Sequence, residues 1–153
     1  MRTVVPIAVL LVLSLNLGPL RASGSDSIPP DQQSIDALEA RAVQAQPRDQ
    51  CFLYAELVQQ MTELSIRQYA AGDITKATGM LQRIQSITQK IHLSLADNDK
   101  RLKNAELMLS HTAFRLGEML QASSVDDRPL FQQTLAQVTD AQNATMMQVF
   151  RSK

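Results

Sequence analysis

The sequence has few aromatic residues and little glycine. It contains no tryptophan, two tyrosines, four phenylalanines and five glycines in 153 residues. Strands favour aromatic and β-branched residues, and runs of these at strand spacing are absent after the N-terminus. Glutamine, leucine, alanine and methionine are well represented instead, and these residues favour helices. We therefore predict an all-α protein whose length suits a single domain.

An excess of charge of either sign is also missing. Fifteen basic side chains balance fifteen acidic ones. Arg2 and Arg21 lie in a segment that we expect to be removed, which leaves the rest of the chain slightly acidic. Nucleic-acid-binding proteins normally carry a strong basic excess. We therefore expect no nucleic-acid partner.

Cys51 is the only cysteine, so the chain cannot form an internal disulfide. One interpretation is a bridge between two chains, and another is a reactive thiol whose pKa is lowered slightly in the first turn of a helix. The third is a small buried residue, one turn before Tyr54 and two turns before Leu57 and Val58. We favour the third, because cysteines outside disulfides are among the most buried residues.

Sequence motifs that carry known chemistry are scarce. No Gly-x-Ser-x-Gly elbow frames a serine, and no Cys-x-x-Cys-His sequence is present for haem attachment. The two histidines, His92 and His111, do not follow a glutamate by three residues, as the ligands of di-iron bundles do. The sequence therefore predicts a non-enzymatic protein with no catalytic residue, cofactor site or metal site.

The N-terminus, residues 1–24, has the pattern of a secretory signal peptide. Arg2 supplies the positive start, and the apolar run Val4–Leu17 is about 14 residues long, where a membrane-spanning helix needs roughly 20. Cleavage after Ala22 or after Gly24 fits the small residues there, and an uncleaved anchor is the alternative. We expect an exported protein, periplasmic or secreted, with no stable membrane insertion after cleavage.

Residues 25–30 form a polar linker that ends in proline, and residues 31–153 are predicted to form one helical domain. Within it, 31–46 is a first helix with Ile35, Leu38, Ala42 and Val43 on one side. A second helix is predicted over 48–71 and a last helix over 129–150. Pro47 suits the first turn of the second helix and Pro129 that of the last, and Gly72 follows the C-terminus of the second helix.

The segment 73–120 carries a heptad seam, the pattern of coiled coils and of helices that pack lengthwise. Most seam positions are apolar, and they form two series with a period of seven: Ile74, Leu81, Thr88, Leu95, Leu102, Leu109, Leu116 and Ala77, Ile84, Ile91, Asn98, Ala105, Thr112, Met119. The phase does not slip. We therefore predict one continuous helix of roughly 72 Å at 1.5 Å per residue, with the flanking helices folded back on it in an elongated antiparallel bundle.

The alternative is a chain reversal at Asp97–Asp99, because three consecutive Asn or Asp residues favour a turn. It would give an up-down bundle of four or five helices. Gly79 and Gly117 lie near the two ends of the 73–120 segment. Each costs about 1 kcal/mol in helix propensity, and each could allow another helix to approach closely.

Three apolar residues in this segment do not belong to the seam. Leu93, Leu107 and Phe114 each follow a residue of the second series by two positions, about 200° around the helix. We expect them on the opposite face, where an exposed apolar stripe would indicate a protein partner or self-association. In the alternative interpretation, the first helix covers this face with Ile35, Leu38 and Val43.

Residues from about 40 to 150 resemble a set of uncharacterised bacterial exported helical proteins. The resemblance rests on three stretches and on Phe150: Pro47-Arg-Asp-Gln-Cys-Phe-Leu-Tyr-Ala-Glu-Leu57, Lys100-Arg-Leu-Lys103 and Asp127-Arg-Pro129. It implies no activity, ligand or catalytic residue. The sequence thus favours an exported interaction or scaffold protein, with a periplasmic ligand- or metal-binding bundle or a stress chaperone as the alternative.

Overall fold

The computed structural model describes residues 28–95 and 101–151, and these form five α-helices. The helices are α1 (Gln32–Gln44), α2 (Pro47–Ala70), α3 (Ile74–Leu93), α4 (Leu102–Ala122) and α5 (Arg128–Arg151). The all-α prediction is therefore confirmed. The expected signal peptide, residues 1–24, and the first half of the linker lie outside the described residues.

Local sequence sets the helix ends. The Asp31 carboxylate accepts a hydrogen bond from the backbone N–H of Ser34 at 2.7 Å, and the Ser34 hydroxyl accepts one from the backbone N–H of Asp31 at 3.0 Å, which together cap α1. Pro47 occupies the first turn of α2, where its missing N–H costs nothing. Gly72 has a φ of 82°, a value that ends α2 and that other residues adopt at a cost.

The prediction of one continuous helix over 73–120 is wrong. Helix α3 ends at Leu93, and the Ser94 hydroxyl donates a hydrogen bond to the Ile91 carbonyl at 3.0 Å. Helix α4 starts only at Leu102. The predicted turn residues, Asp97–Asp99, lie outside the described residues.

Contacts between helices show that the chain reverses between α3 and α4. The pairs Gln59–His111 and Glu63–Arg115 show that α2 and α4 run parallel, because both residue numbers rise together. Helices α2 and α3 are antiparallel neighbours joined by the short turn at Gly72. Helix α4 therefore runs antiparallel to α3, as in the up-down bundle of the alternative interpretation.

Helices α2 to α5 form a four-helix bundle. Helix α2 packs against α3 and α4, and α5 packs against the same two helices, so α3 and α4 occupy diagonal corners of the described bundle. The seam positions of both α3 and α4 point into the shared core: Ala77, Leu81, Ile84, Thr88, Ile91, Leu102, Ala105, Leu109, Thr112 and Leu116 are all buried.

Helix α2 is the most enclosed element, because it packs against α1, α3 and α4. A run of consecutive residues, Cys51 to Ala55, is buried on every side of the helix. Helix α1 runs antiparallel to α2 and lies along the groove between α2 and α3. Arg83 of α3 donates to the Glu39 carboxylate of α1 at 2.7 Å, and Lys90 of α3 lies 3.8 Å from the same carboxylate. One side of the bundle is thus covered by α1.

The two ends of the bundle are closed by aromatic residues of α2. At one end the Tyr69 hydroxyl donates to Asp127 at 3.0 Å and accepts from the Ser124 N–H at 3.0 Å. The Tyr69 ring lies perpendicular to the Phe131 ring, with the ring centres 5.3 Å apart. At the other end the guanidinium of Arg101 stacks 3.2 Å from the centre of the Phe52 ring.

Candidate protein interaction surface

Two large apolar side chains are exposed on α4. Leu107 is 57% exposed and Phe114 is 64% exposed, although both belong to a helix whose opposite face is buried. They are seven residues apart, so they lie two turns apart on one line along the helix. Their position follows from the heptad seam, which turns Ala105, Leu109 and Thr112 inward and leaves these two side chains outward.

A shallow pocket of about 260 Å³ lies beside this line, in the groove between α4 and α5. Its lining is Lys103, Glu106, Met146, Val149 and Phe150. Lys103 precedes Leu107 by one helical turn, so the pocket and the two exposed side chains belong to one surface. We call this surface the α4–α5 face and define it by Lys103, Leu107, Phe114, Met146 and Phe150.

Charged groups are sparse on this face. Along α5, the outward row that leads to Met146 and Phe150 consists of uncharged residues: Gln132, Ala136, Thr139 and Asn143. Below it, the Gln142 amide donates to the Glu106 carboxylate at 3.2 Å and holds the two helices together. The surface is therefore apolar and neutral over most of its length.

Arg115 forms two ion pairs at the edge of the face. Arg115 donates to both carboxylate oxygens of Glu63, at 2.9 and 3.2 Å, and to Glu118 at 2.5 Å. These hydrogen bonds, first those to Glu63 and then that to Glu118, raise the pKa of Arg115. Arg115 joins α2 to α4, and Glu118 remains exposed at the border of the face.

Leu93 does not belong to this surface. It is 88% exposed at the end of α3 and lies beside Gln50, Tyr54, Lys90 and Ser94. That position is on the α2–α3 side of the bundle, opposite the α4–α5 face. The interpretation of 73–120 as a single helix puts Leu93, Leu107 and Phe114 on one stripe, and the reversal after Leu93 separates them.

Helix α1 does not take the position that the alternative interpretation gives it. Ile35, Leu38 and Ala42 are buried against α2, whereas Val43 is 55% exposed. The helix therefore covers the α2–α3 side, and Leu107 and Phe114 are not beneath it. Among the described residues, Leu107 and Phe114 keep their exposure because no element packs over them.

Cys51, the candidate thiol, is fully buried in the core cluster. The same cluster contains Leu57 and Val58, as the third interpretation of this residue predicts. A thiol enclosed in this way is out of reach of a second chain unless the bundle opens.

Sequence reasoning missed Met146 and Phe150. They are one turn apart on α5 and each follows a core-facing residue, Thr145 or Val149, by one position. The sequence shows that both residues are one position away from the core-facing residues of α5. The sequence does not show that α5 packs beside α4, which brings the outward-facing residues of the two helices together.

The remaining candidates for chemistry are dispersed. His111 Nδ1 lies 3.3 Å from the Gln59 amide nitrogen, within hydrogen-bonding distance. Within residues 28–95 and 101–151, no cluster of three or more His, Cys, Asp or Glu side chains is arranged to hold a metal ion. In the same ranges no helix combines the length and hydropathy needed to cross a membrane.

Comparison with known proteins gives no relative: no protein-family model, curated protein or solved structure matches the chain significantly. The resemblance to exported bacterial helical proteins therefore stays a prediction.

Proposed function

We propose that this protein is an exported, non-enzymatic helical protein that binds another protein through the α4–α5 face. The observation that carries the proposal is the exposure of Leu107 and Phe114, 57% and 64%, on one line of α4 beside an apolar pocket. The N-terminal pattern of residues 1–24 supports export. The scarcity of chemical motifs supports a role in binding.

Leaving two large apolar side chains in water costs free energy that a binding partner would recover. Complete burial of a leucine or phenylalanine contributes about 1.5–3 kcal/mol each, so covering these two half-exposed side chains would contribute roughly 2–4 kcal/mol. Contiguous exposed apolar surface on a soluble protein generally marks an interaction site. The adjoining pocket is smaller than the roughly 300–1,000 Å³ of most small-molecule sites, which favours a protein side chain as its occupant.

Photo-cross-linking in the cells that make the protein tests this proposal. A photoreactive amino acid replaces Ser110, which lies between Leu107 and Phe114 on α4, and a matched control carries it at the exposed Gln82 of α3. We expect a cross-linked adduct from position 110 and none from position 82. Equal labelling from both positions, or none from 110, would contradict the proposal.

A pair of double variants completes the test. L107Q/F114Q should lose the adduct from position 110, whereas V43Q/L93Q, which changes two exposed apolar residues elsewhere, should retain it. Circular dichroism must show native helix content in both. Unfolding of L107Q/F114Q alone would assign the two residues to the core and remove the basis of the proposal.

A further inference from the structure

We propose that the α4–α5 face pairs with the same face of a second copy of this chain, through a two-fold axis that makes the two α4 helices antiparallel. This inference rests on the proposed function and names the partner. The position of Phe114 relative to the pocket, the distribution of charge on the face and the area of the face support it.

The face carries both a protruding side chain and a recess of matching position. Phe114 projects from α4, and the pocket beside Lys103 and Glu106 lies about ten residues, or roughly 15 Å, back along the same helix. The two-fold axis is perpendicular to α4 and crosses it near Leu109, halfway between Phe114 and the pocket. It places Phe114 of one copy at the same height along α4 as the pocket of the other copy. Each phenyl ring then enters the other copy's groove.

The same axis brings Leu107 of the two copies together. Leu107 lies about two residues, or roughly 3 Å, from the level of the axis, so the two leucines come within about one helical turn of each other. The interface centre is thus formed by two leucines and flanked by two phenylalanines. Self-complementary arrangements of this kind are what a two-fold interface requires.

Charge on the face favours a second copy over a charged partner. From Lys103 to Gly117, Lys103 is the only charged residue on the outward row of α4, and the outward row of α5 is neutral from Gln132 to Phe150. With this axis, Glu118 of one copy and Lys103 of the other differ in height along the helix by about 5 Å. Pairing therefore opposes unlike charges twice, and depletion of charge from the centre is typical of homodimer interfaces.

The area is sufficient for a modest dimer. Helix α4 has 21 residues, which corresponds to about 31 Å. With two helices packed about 9 Å apart, the face covers roughly 600 Å² per copy, at the low end of specific interfaces. We expect association in the micromolar to millimolar range.

Charge exchange between copies tests the register. Sedimentation equilibrium from about 1 μM to 1 mM, the range expected for such an interface, should show a dimer for the native chain. K103E and E118K each place like charges opposite one another at both symmetric positions, so each should weaken self-association about tenfold. A heterodimer of the two variants again opposes unlike charges at both symmetric positions, one pair with its charges exchanged and one pair native, so an equimolar mixture should regain the affinity of the native chain.

Controls separate the inference from a general effect of charge. K76E, at an exposed lysine of α3 away from the face, should leave the dimer unchanged, and F114Q should weaken it more than either charge variant. High salt should narrow the difference between K103E and the native chain. A mixture that stays as weak as its components would overturn the proposed pairing.

The outcomes also distinguish this inference from the proposed function. The native chain could stay monomeric at about 1 mM, the upper end of the expected range, while position 110 still labels a different protein and this labelling requires Leu107 and Phe114. In that case the proposed pairing is wrong and the proposed binding function stands. If the chain is monomeric and position 110 labels nothing, both fail. An adduct of twice the chain mass supports both.

Discussion

Glycines inside two helices show how a residue can matter by its backbone alone. The sequence suggests close helix approach at Gly79 of α3 and Gly117 of α4, but a β-carbon at either position meets nothing within 4 Å. That expectation is wrong, and the residues cost helix propensity without a packing gain. G79A and G117A should each raise the free energy of unfolding by about 1 kcal/mol.

Gly72 provides the contrast. It also has open space around it, but its φ of 82° is unfavourable for other residues, so G72A should lower the free energy of unfolding by about 1–2 kcal/mol. Urea denaturation of the three variants measures all of these differences. Loss of stability in G79A or G117A would mean that another helix approaches more closely than the structure has it.

Among the helices, the reversal between α3 and α4 makes the clearest prediction. Spin labels on K76C and Q121C, in a C51A background, would be separated by about 68 Å along a continuous helix. In the bundle both positions lie at the same end, on diagonal helices, so the distance should be roughly 15–30 Å. Pulsed electron paramagnetic resonance measures it, and the pair K76C/Q89C within α3 should give about 20 Å in either case.

The sequence predicted which face of each helix is buried, and not the direction in which the helices run. Leu81, Ile91, Leu102 and Leu116 reach the core as the heptad pattern requires. Helices α3 and α4 turn the same seam toward the same core, so the phase continues across the reversal and gives no sign of it. Asp97–Asp99 favour a turn, whereas the preserved hydrophobic phase favours a continuous helix, so the sequence alone does not set the direction.

Only part of the candidate surface could be predicted from the sequence. Leu107 and Phe114 could be placed outward because each is about 200° from the seam. Leu93 could not be assigned correctly, since its side of the molecule depends on the reversal. Met146 and Phe150 complete the surface only through tertiary contact between α4 and α5, which single-helix patterns do not contain.

Export of the chain stays a prediction that the mature N-terminus can test. Because Val4–Leu17 is too short to span a membrane comfortably, we expect the chain isolated from the cell envelope or the medium to begin at Ser23 or Ser25. N-terminal sequencing of that material measures the cleavage site. A chain that still begins at Met1 and sediments with membranes would instead establish an anchor.

The placement of the two tyrosines along α2 has an optical consequence. The chain contains no tryptophan and only two tyrosines. Tyr54 is buried in the first third of α2, and burial raises the pKa of its hydroxyl, whereas Tyr69 holds the opposite end through Asp127 and Ser124. The two rings are about 22 Å apart along α2. Near-ultraviolet spectra of this protein therefore come mainly from two native chromophores, one near each end, and loosening of either end changes the signal without any added label.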